Sequence, residues 1–136
     1  MRRIAYTQQM RGRLTAVGPG LADVELAADE ATPLGPGATF AAQLAFASRH
    51  AFRAEGAIAF GDGPALRLRT LGDGVLAPSP DARLRHGTAV LEAWGVGPLS
   101  GVRGRITSNF VVAGDGALTD DQVVVLFIEE GQGEWL

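Results

Sequence analysis

The sequence predicts an all-β fold, a single closed antiparallel β-barrel of about eight strands that spans residues 1–136. One observation is the period-two alternation of large apolar with small or polar residues, which is typical of strands with one buried face. The other is a set of three Gly-Asp-Gly triplets, at Gly61–Gly63, Gly72–Gly74 and Gly114–Gly116. Asp-Gly accepts the positive φ angles of hairpin turns, so each triplet predicts a turn between antiparallel strands. A calcium loop needs six or more oxygens, which one carboxylate per triplet does not supply.

The N-terminal third predicts one strand and one long loop. Ile4–Val17 reads as the first strand, with Gly12 at a bend or bulge. Gly18–Gly37 is bounded by two Gly-Pro-Gly triplets and carries four acidic residues, which predicts a loop with a short helical turn around Leu26–Asp29. A loop of this length is either a lid over a barrel mouth or a plain surface excursion.

The middle of the chain alternates strictly. Over Thr39–Phe60 the even positions are mainly apolar, but 22 residues at about 3.3 Å each are too long for one strand in this domain. We therefore expect two strands with a bend near Ser48–Arg49. An Ala-rich helix over Ala38–Ala54 is the competing interpretation, and it places Phe46 off the apolar helix face.

The remaining strands follow at regular intervals. Pro78–Gly87 is expected to be a polar connection that contains His86. Seven or eight antiparallel strands with one apolar face close naturally into a barrel, and a two-sheet sandwich is the alternative architecture. The predicted strands of this half are Ala65–Leu71, Thr88–Val96, Val102–Val112 and Leu118–Ile128.

Composition limits the classes of function. The chain has no cysteine and two histidines, which excludes thiolate chemistry and disfavours a metal site. Its net charge of −3 disfavours nucleic acid as a partner, because phosphate binding needs a basic face. No apolar run suits a membrane helix and the N-terminus lacks an apolar signal core, so we expect a cytoplasmic protein without membrane contact. Without a phosphate loop, dinucleotide fingerprint or zinc motif, we expect no cofactor.

Arginine supplies all twelve basic residues, and many arginines occur in pairs two residues apart. On a strand this spacing puts both side chains on one face. That face is either the solvated outside of the barrel or an anion-binding stripe. The pairs are Arg11/Arg13, Arg67/Arg69, Arg83/Arg85 and Arg103/Arg105.

Strand parity predicts which polar side chains share the apolar interior. Glu92 has the parity of Val90 and Trp94, and Ser108 has the parity of Ile106 and Phe110. By the same rule His50 lies with Phe46 and Phe52, and Asp121 lies with Val123, Val125 and Phe127. The predicted interior thus contains His50, Glu92 and Ser108, with Asp121 as a fourth polar group. Such groups either bond to one another or have a function, since unpartnered burial is costly.

Glu92 is the predicted general acid or base. A carboxylate between Val90 and Trp94 would have its pKa raised by burial, which suits proton transfer, with His50 or Ser108 assisting. Ser108, His50 and Asp121 could be written as a triad, but no nucleophile elbow accompanies them. The expected substrate-binding residues are Trp94, Phe46, Phe52, Phe110 and Asp121.

The segment Phe52–Gly56 and the segment Gly101–Phe110, with the sequence GVRGRITSNF, are similar to those of small bacterial proteins laid out like the allene oxide cyclase-like barrels. The resemblance covers the C-terminal two-thirds of the chain. It implies an eight-stranded antiparallel barrel with an apolar lumen. Members of that class include plant cyclases of fatty-acid epoxides and bacterial polyketide cyclases, which fold a flexible substrate inside the cavity. No catalytic residue of the class matches a position here.

Three functions are compatible with these features. The first is a cofactor-free cyclase or isomerase of specialised metabolism, acting on a polyketide- or lipid-like small molecule in the lumen. The second is a lipocalin-like binding or carrier protein, and the third is an interaction module whose lumen is packed by its own aromatic residues. The cavity discriminates among them, because only the first two need an empty lumen.

The last strand also predicts an assembly. Val123–Ile128 is apolar on both faces, whereas a barrel wall needs only one buried face. Either the Leu21–Leu34 excursion or a second subunit must cover its outer side. We expect a homodimer, with Trp135 and Leu136 adding to the contact.

Overall fold

The computed structural model describes residues 1–129 and has the predicted all-β architecture. Among these residues the only helical segment is a 3-10 turn at Gly97–Leu99. Buried and exposed residues alternate along most of each strand, so each strand has one inward and one outward face. The strands are β1 Arg2–Gly18, β2 Leu21–Ala28, β3 Ala38–Phe46, β4 Ala51–Phe60, β5 Ala65–Thr70, β6 Gly74–Pro78, β7 Leu84–Val96, β8 Arg103–Ala113 and β9 Ala117–Ile128.

The strands form a closed eight-stranded antiparallel barrel with one extra strand. Going around the wall, the order is β3, β2, β1, β9, β8, β7, β5 and β4, and pairing of β4 with β3 closes it. The extra strand is β6, which lies between β4 and β7 as β5 does. Closure leaves no sheet edge within the wall, and it excludes the alternative two-sheet sandwich.

Two of the three predicted Gly-Asp-Gly turns are confirmed. Gly61–Gly63 joins β4 to β5, and Gly114–Gly116 joins β8 to β9. The turn predicted at Gly72–Gly74 is wrong, because β5 and β6 run in the same direction along the same two neighbours. Glu55 pairs with Arg69 and Phe52 pairs with Gly74. The two paired positions on β4 are thus three residues apart, but their partners on the other side are five residues apart. The triplet therefore belongs to a bulge of two extra residues.

The predicted acidic loop is largely a strand. Residues 21–28 form β2, in which Asp23 and Glu25 alternate with buried Val24 and Leu26. The acidic residues are the outer face of this strand, so the helical turn predicted at Leu26–Asp29 is wrong. Residues 29–37 remain as the connection to β3.

The middle of the chain folds as predicted, with two strands separated by a turn around Ser48–Arg49 and no helix over residues 38–54. The predicted Pro78–Gly87 connection is shorter, because β7 begins at Leu84 and includes His86. Gly12 is not at a bulge, since its pairing with Leu26 and Leu118 is regular. A Cβ atom there would overlap the Glu25 backbone, so Gly12 allows close approach of β2.

The two ends of the barrel differ. At one end, the connections before β3 and β8 bury Leu34, Leu99 and Val102, of which Leu99 and Val102 have no exposed surface. We call this the closed end. At the other, the open end, short connections at 19–20, 47–50, 79–83 and 114–116 join the strands.

Aromatic rings fill the lumen between these ends. The ring centroids of Phe46 and Phe52 are 5.6 Å apart and those of Phe52 and Phe110 are 6.0 Å apart, both in tilted contacts. We call these three residues the aromatic stack. Gly74 and Gly87 face its rings, and a Cβ atom at either glycine would overlap the Phe52 or the Phe110 ring, respectively. The two large rings therefore require glycine on the strands opposite them.

The outer side of β9 is uncovered by the rest of the described chain. Val123 is 45% exposed and Phe127 is 41% exposed. The segment 21–34 does not cover them, because β2 is itself part of the wall on the far side of β1. A second subunit is the remaining explanation, and the homodimer stays a prediction. Trp135 and Leu136, expected to add to it, lie outside the described residues.

Replacing Gly87 by alanine should destabilise the barrel, because the added methyl group must displace the Phe110 ring. We expect the free energy of unfolding in urea to fall by about 1–3 kcal/mol, the usual effect of overpacking. Gly63→Ala is the matched control, since nothing lies within 4 Å of a Cβ atom there. Its stability should be unchanged or raised by up to about 1 kcal/mol. Equal destabilisation by both changes would show that the ring contact is not the cause.

The homodimer prediction is tested by light scattering at micromolar concentration. We expect twice the chain mass of 14.2 kDa for the unmodified protein and 14.2 kDa for the double variant Val123→Ser, Phe127→Ser. Val17→Ser is the control, because Val17 is equally exposed but lies at the far end of β1. A monomer mass for the unmodified protein would refute the prediction.

Candidate functional site

The lumen holds very little empty space. The internal cavity has a volume of about 30 Å³ and is lined mainly by apolar side chains, with Ser108 and Asp120 as its polar wall. One or two water molecules fit such a volume, whereas small-molecule sites usually measure about 300–1,000 Å³. The lumen is apolar as predicted, but the aromatic stack and its neighbours fill it. A lumen-bound substrate therefore has no room in this conformation, and this is the outcome expected of the third function, an interaction module with a packed lumen.

The polar wall of the cavity is a chain of hydrogen bonds among buried side chains. Ser108 Oγ donates to Asp120 Oδ1 at 2.7 Å, and Gln122 Nε2 donates to Asp120 Oδ2 at 2.9 Å. Gln8 Nε2 donates in turn to Gln122 Oε1 at 2.7 Å. Ser108, Asp120 and Gln122 are at most 5% exposed. The donors satisfy both carboxylate oxygens, which lowers the cost of burying Asp120.

Asp120 is the ionisable group that this environment changes most. Burial raises the pKa of its carboxyl group to about 6, against the opposing effect of the hydrogen bonds from Gln122 and Ser108. The carboxyl group can therefore exchange a proton close to neutral pH. No basic side chain accompanies it in the hydrogen-bonded chain.

The interior position predicted for Glu92 is wrong. Glu92 lies on the outer face of β7, where Arg69 Nη2 and Nε donate to its Oε1 at 2.9 and 3.1 Å. The Arg69 guanidinium also lies 5.5 Å from the centroid of the Trp94 ring, which places Trp94 on the outer face as well. The inner face of β7 carries Ala89, Leu91 and Ala93 instead.

Asp121 is likewise outside, where it accepts a hydrogen bond from Gln9 Nε2 at 2.9 Å. Its neighbour Asp120 takes the interior position, so the parity assigned to β9 is wrong by one residue. The interior position predicted for Ser108 is confirmed. The structure does not bring Ser108, His50 and Asp121 together. Ser108 lies inside the barrel, His50 lies at the open end, and Asp121 lies on the outer face.

The three phenylalanines proposed as substrate contacts do come together, as the aromatic stack. Phe52 and Phe110 are buried, whereas Phe46 is half-buried at the open end. His50 lies beside them in the β3–β4 turn and is exposed. Its Nδ1 is 3.0 Å from the Leu76 carbonyl oxygen, and its own carbonyl oxygen accepts from Leu76 N at 2.8 Å.

The parity errors have a common physical origin. Large apolar residues were assigned to the interior, but a filled small barrel needs small residues opposite large ones. On β7 the inward residues near the rings are Gly87 and Ala89, so the bulky Val90 and Trp94 are outside. On β9 both faces are apolar, and parity alone does not distinguish them. Ser108, on the inner face of β8, pairs with Gln122, so Gln122 and the residues of the same parity form the inner face of β9.

Of the two interpretations of the arginine pairs, the exposed outer wall fits most of them. Three of the four pairs, at 11/13, 67/69 and 103/105, lie exposed on the outer wall. The fourth is split: Arg83 is in a connection, where it pairs with Asp81 at 3.0 Å, and Arg85 has the inward parity of Gly87 and Ala89. Arg85 therefore faces the mouth of the barrel at its open end.

A cleft of about 580 Å³ occupies the open end, above the aromatic stack. Its walls come from β1 and β2, from the β3–β4 turn, and from β6 and the start of β7. Inward residues at the strand ends make most of it apolar, and arginine, histidine and serine side chains form the remainder. The lining residues are Leu14, Ala16, Gly18, Gly20, Leu21, Ala22, Phe46, Ser48, Arg49, His50, Leu76, Ala77, Pro78 and Arg85.

No protein-family model, curated protein or solved structure matches this chain. The resemblance to allene oxide cyclase-like barrels thus stays a prediction. No helix of residues 1–129 has the length and apolar character needed to cross a membrane. Within the same range, no three acidic, histidine or cysteine side chains are grouped as metal ligands would be.

The raised pKa of Asp120 predicts a pH-dependent stability. A carboxyl group with a pKa near 3.8 in the unfolded chain and about 6 in the barrel favours folding only while protonated. The resulting destabilisation begins as pH rises above 3.8 and is complete above about 6. It amounts to about 3 kcal/mol, from roughly 2 pKa units.

The measurement is urea unfolding across this pH range for the unmodified protein and for Asp120→Asn. As the pH rises from 3.8 to above about 6, the unmodified protein should lose about 3 kcal/mol of unfolding free energy relative to the variant. Asp62→Asn, in the exposed Gly61–Gly63 turn away from Asp120, is the control and should follow the unmodified protein. A difference from Asp120→Asn that does not change with pH would show that Asp120 titrates normally.

Proposed function

We propose that the protein binds a hydrophobic small molecule in the cleft at the open end of the barrel. The observation that carries this proposal is the cleft itself, which has the volume of a small-molecule site and an apolar floor. Leu14, Leu76 and Phe46 supply apolar surface from three separate parts of the wall. Desolvation of a ligand against these side chains would supply the binding energy.

The site differs from that of a lipocalin-like carrier, in which the ligand enters the lumen. Here the aromatic stack fills the lumen below the cleft, and the cavity beneath it measures about 30 Å³. A ligand would therefore lie on Phe46, with its polar part towards the rim. The closed end offers no comparable entrance, since Leu34, Leu99 and Val102 are buried there.

A cofactor-free cyclase or isomerase of specialised metabolism is the second candidate. One observation favours it: Asp120 lines the inner cavity with Ser108, and its carboxyl group has a pKa of about 6. Such a group is suited to general acid or base chemistry near neutral pH. This activity requires the aromatic stack to move, so that a polyketide- or lipid-like substrate bound in the cleft reaches Asp120. Turnover that survives Asp120→Asn would contradict it.

We propose that the protein is located in the cytoplasm and binds its ligand there. The absence of cysteine supports it, because secreted small domains commonly depend on disulfides. Recovery of the endogenous protein from the culture medium or an extracytoplasmic fraction would contradict the proposal.

Binding is tested with N-phenyl-1-naphthylamine, a neutral apolar dye that fluoresces when it leaves water. We expect saturable fluorescence with the unmodified protein. Ala16→Gln should weaken binding about tenfold or more, because Ala16 lines the cleft and glutamine places a polar amide in it.

Val17→Gln is the matched control. Val17 is the next residue of β1, is 49% exposed and does not line the cleft, so this change should leave the affinity unaltered. Circular dichroism verifies that both variants fold. Absence of saturable fluorescence with the unmodified protein, or equal weakening by both variants, would refute a ligand site in the cleft.

A further inference from the structure

We infer that the ligand of the open-end cleft carries an anionic head group, a carboxylate on an apolar body, which Arg85, Arg49 and His50 recognise at the rim. This inference rests on the proposed function, since it names the class of ligand for the same cleft. It depends on three features of the described residues: the charge of the lining, the direction of Arg85 and the fixed position of His50.

The charge of the cleft is opposite to that of the chain. The protein has 15 acidic and 12 basic residues, a net charge of −3. The cleft lining contains two arginines and a histidine but no aspartate or glutamate. Neither Arg49 nor Arg85 forms an ion pair with any of residues 1–129, so both guanidinium groups are available to a ligand. Two cations beside apolar surface favour a ligand that supplies the missing negative charge.

Arg85 is directed towards the cleft by the register of β7. It has the same parity as Gly87, which faces the Phe110 ring, and as the buried Ala89. Along this face the side chains change from apolar in the lumen to arginine at the mouth. An arginine on the inward face of a strand end can reach over a bound ligand while its stem covers apolar surface. Its planar guanidinium matches a carboxylate with two parallel hydrogen bonds.

His50 is held in place on the other side of β6 from Arg85, since β6 pairs with β7 at Arg85 and bonds to His50 through Leu76. Its backbone oxygen accepts from Leu76 N, and its ring Nδ1 is 3.0 Å from the Leu76 carbonyl oxygen. Because a carbonyl oxygen only accepts, Nδ1 carries a proton, and Nε2 donates to a carboxylate only in the imidazolium form, in which both ring nitrogens carry protons. Ser48 Oγ accepts from the backbone N–H groups of His50 and Ala51, each at 3.2 Å, which orders the turn that presents Arg49 and His50.

These positions define how an amphipathic anion would bind. The apolar body would lie on Phe46, Leu76 and Leu14, and the carboxylate would lie between Arg85 and the Arg49–His50 turn. The head group would stay at the rim, in contact with water, so its desolvation cost would be small. A neutral ligand of equal length would gain the apolar contacts alone.

The experiment compares decanoate with decan-1-ol, each displacing N-phenyl-1-naphthylamine from the protein at neutral pH and one low ionic strength. We expect decanoate to bind the unmodified protein at least about tenfold more tightly than decan-1-ol. The double variant Arg49→Gln, Arg85→Gln should lose this preference and bind decanoate and decan-1-ol with about equal affinity. Added salt should reduce the preference in the unmodified protein, because the rim is exposed to solvent.

Arg83→Gln is the matched control, since Arg83 is close to Arg85 in sequence but pairs with Asp81 and does not line the cleft. It should keep the preference for decanoate. Equal affinities of decanoate and decan-1-ol for the unmodified protein would overturn the inference while leaving the binding site intact. So would an equal loss in Arg83→Gln, which would indicate general charge attraction. Failure of the dye and both ligands to bind would instead refute the proposed function.

Discussion

The contact of two phenylalanine rings with two glycines determines what the rest of this barrel can do. Phe52 lies against Gly74 and Phe110 against Gly87, at positions where any side chain would overlap the ring. Each glycine is the direct cross-strand partner of its phenylalanine, so the neighbouring strand must carry a small residue there for the ring to lie over it. This constraint turns Glu92 and Trp94 outwards. It also leaves Asp120 beside a cavity of only about 30 Å³, whereas the cleft at the open end measures about 580 Å³.

The fold could be predicted from the sequence because alternation and turn residues are local signals. The bend near Ser48–Arg49 and the turns at Gly61–Gly63 and Gly114–Gly116 needed no knowledge of partner strands. The bulge at Gly72–Gly74 did need it, because the same residues serve a turn or a bulge, and pairing with β4 and β7 decides between them. The acidic face of β2 was missed because four acidic residues between two Gly-Pro-Gly triplets are typical of a loop, although Val24 and Leu26 among them are buried.

The candidate site was less predictable, because it depends on which face of each strand is inside. The positions of the apolar residues identified the inner face of β8, where Ser108 was placed correctly. They did not identify the inner faces of β7 and β9, because both faces of these strands carry apolar residues. Asp120 and Arg85 could be assigned to the inward faces of their strands only from the strand register, in which Ser108 pairs with Gln122 and Gly87 pairs with Phe110. The cleft joins three stretches that are far apart in sequence, residues 14–22, 46–50 and 76–85, so no local pattern indicates it. These residues support binding at the mouth of the barrel more than chemistry in its centre.

The most direct test of where this barrel binds a ligand is to map NMR amide chemical-shift changes during titration with N-phenyl-1-naphthylamine. A site above a filled lumen predicts the largest changes at the open end, at Ala16, Ser48 and Ala77. Amides at the closed end, such as those of Leu99 and Val102, should keep their positions. Changes centred on the closed end, or on the outer wall around Arg103 and Arg105, would contradict a ligand site at the open end.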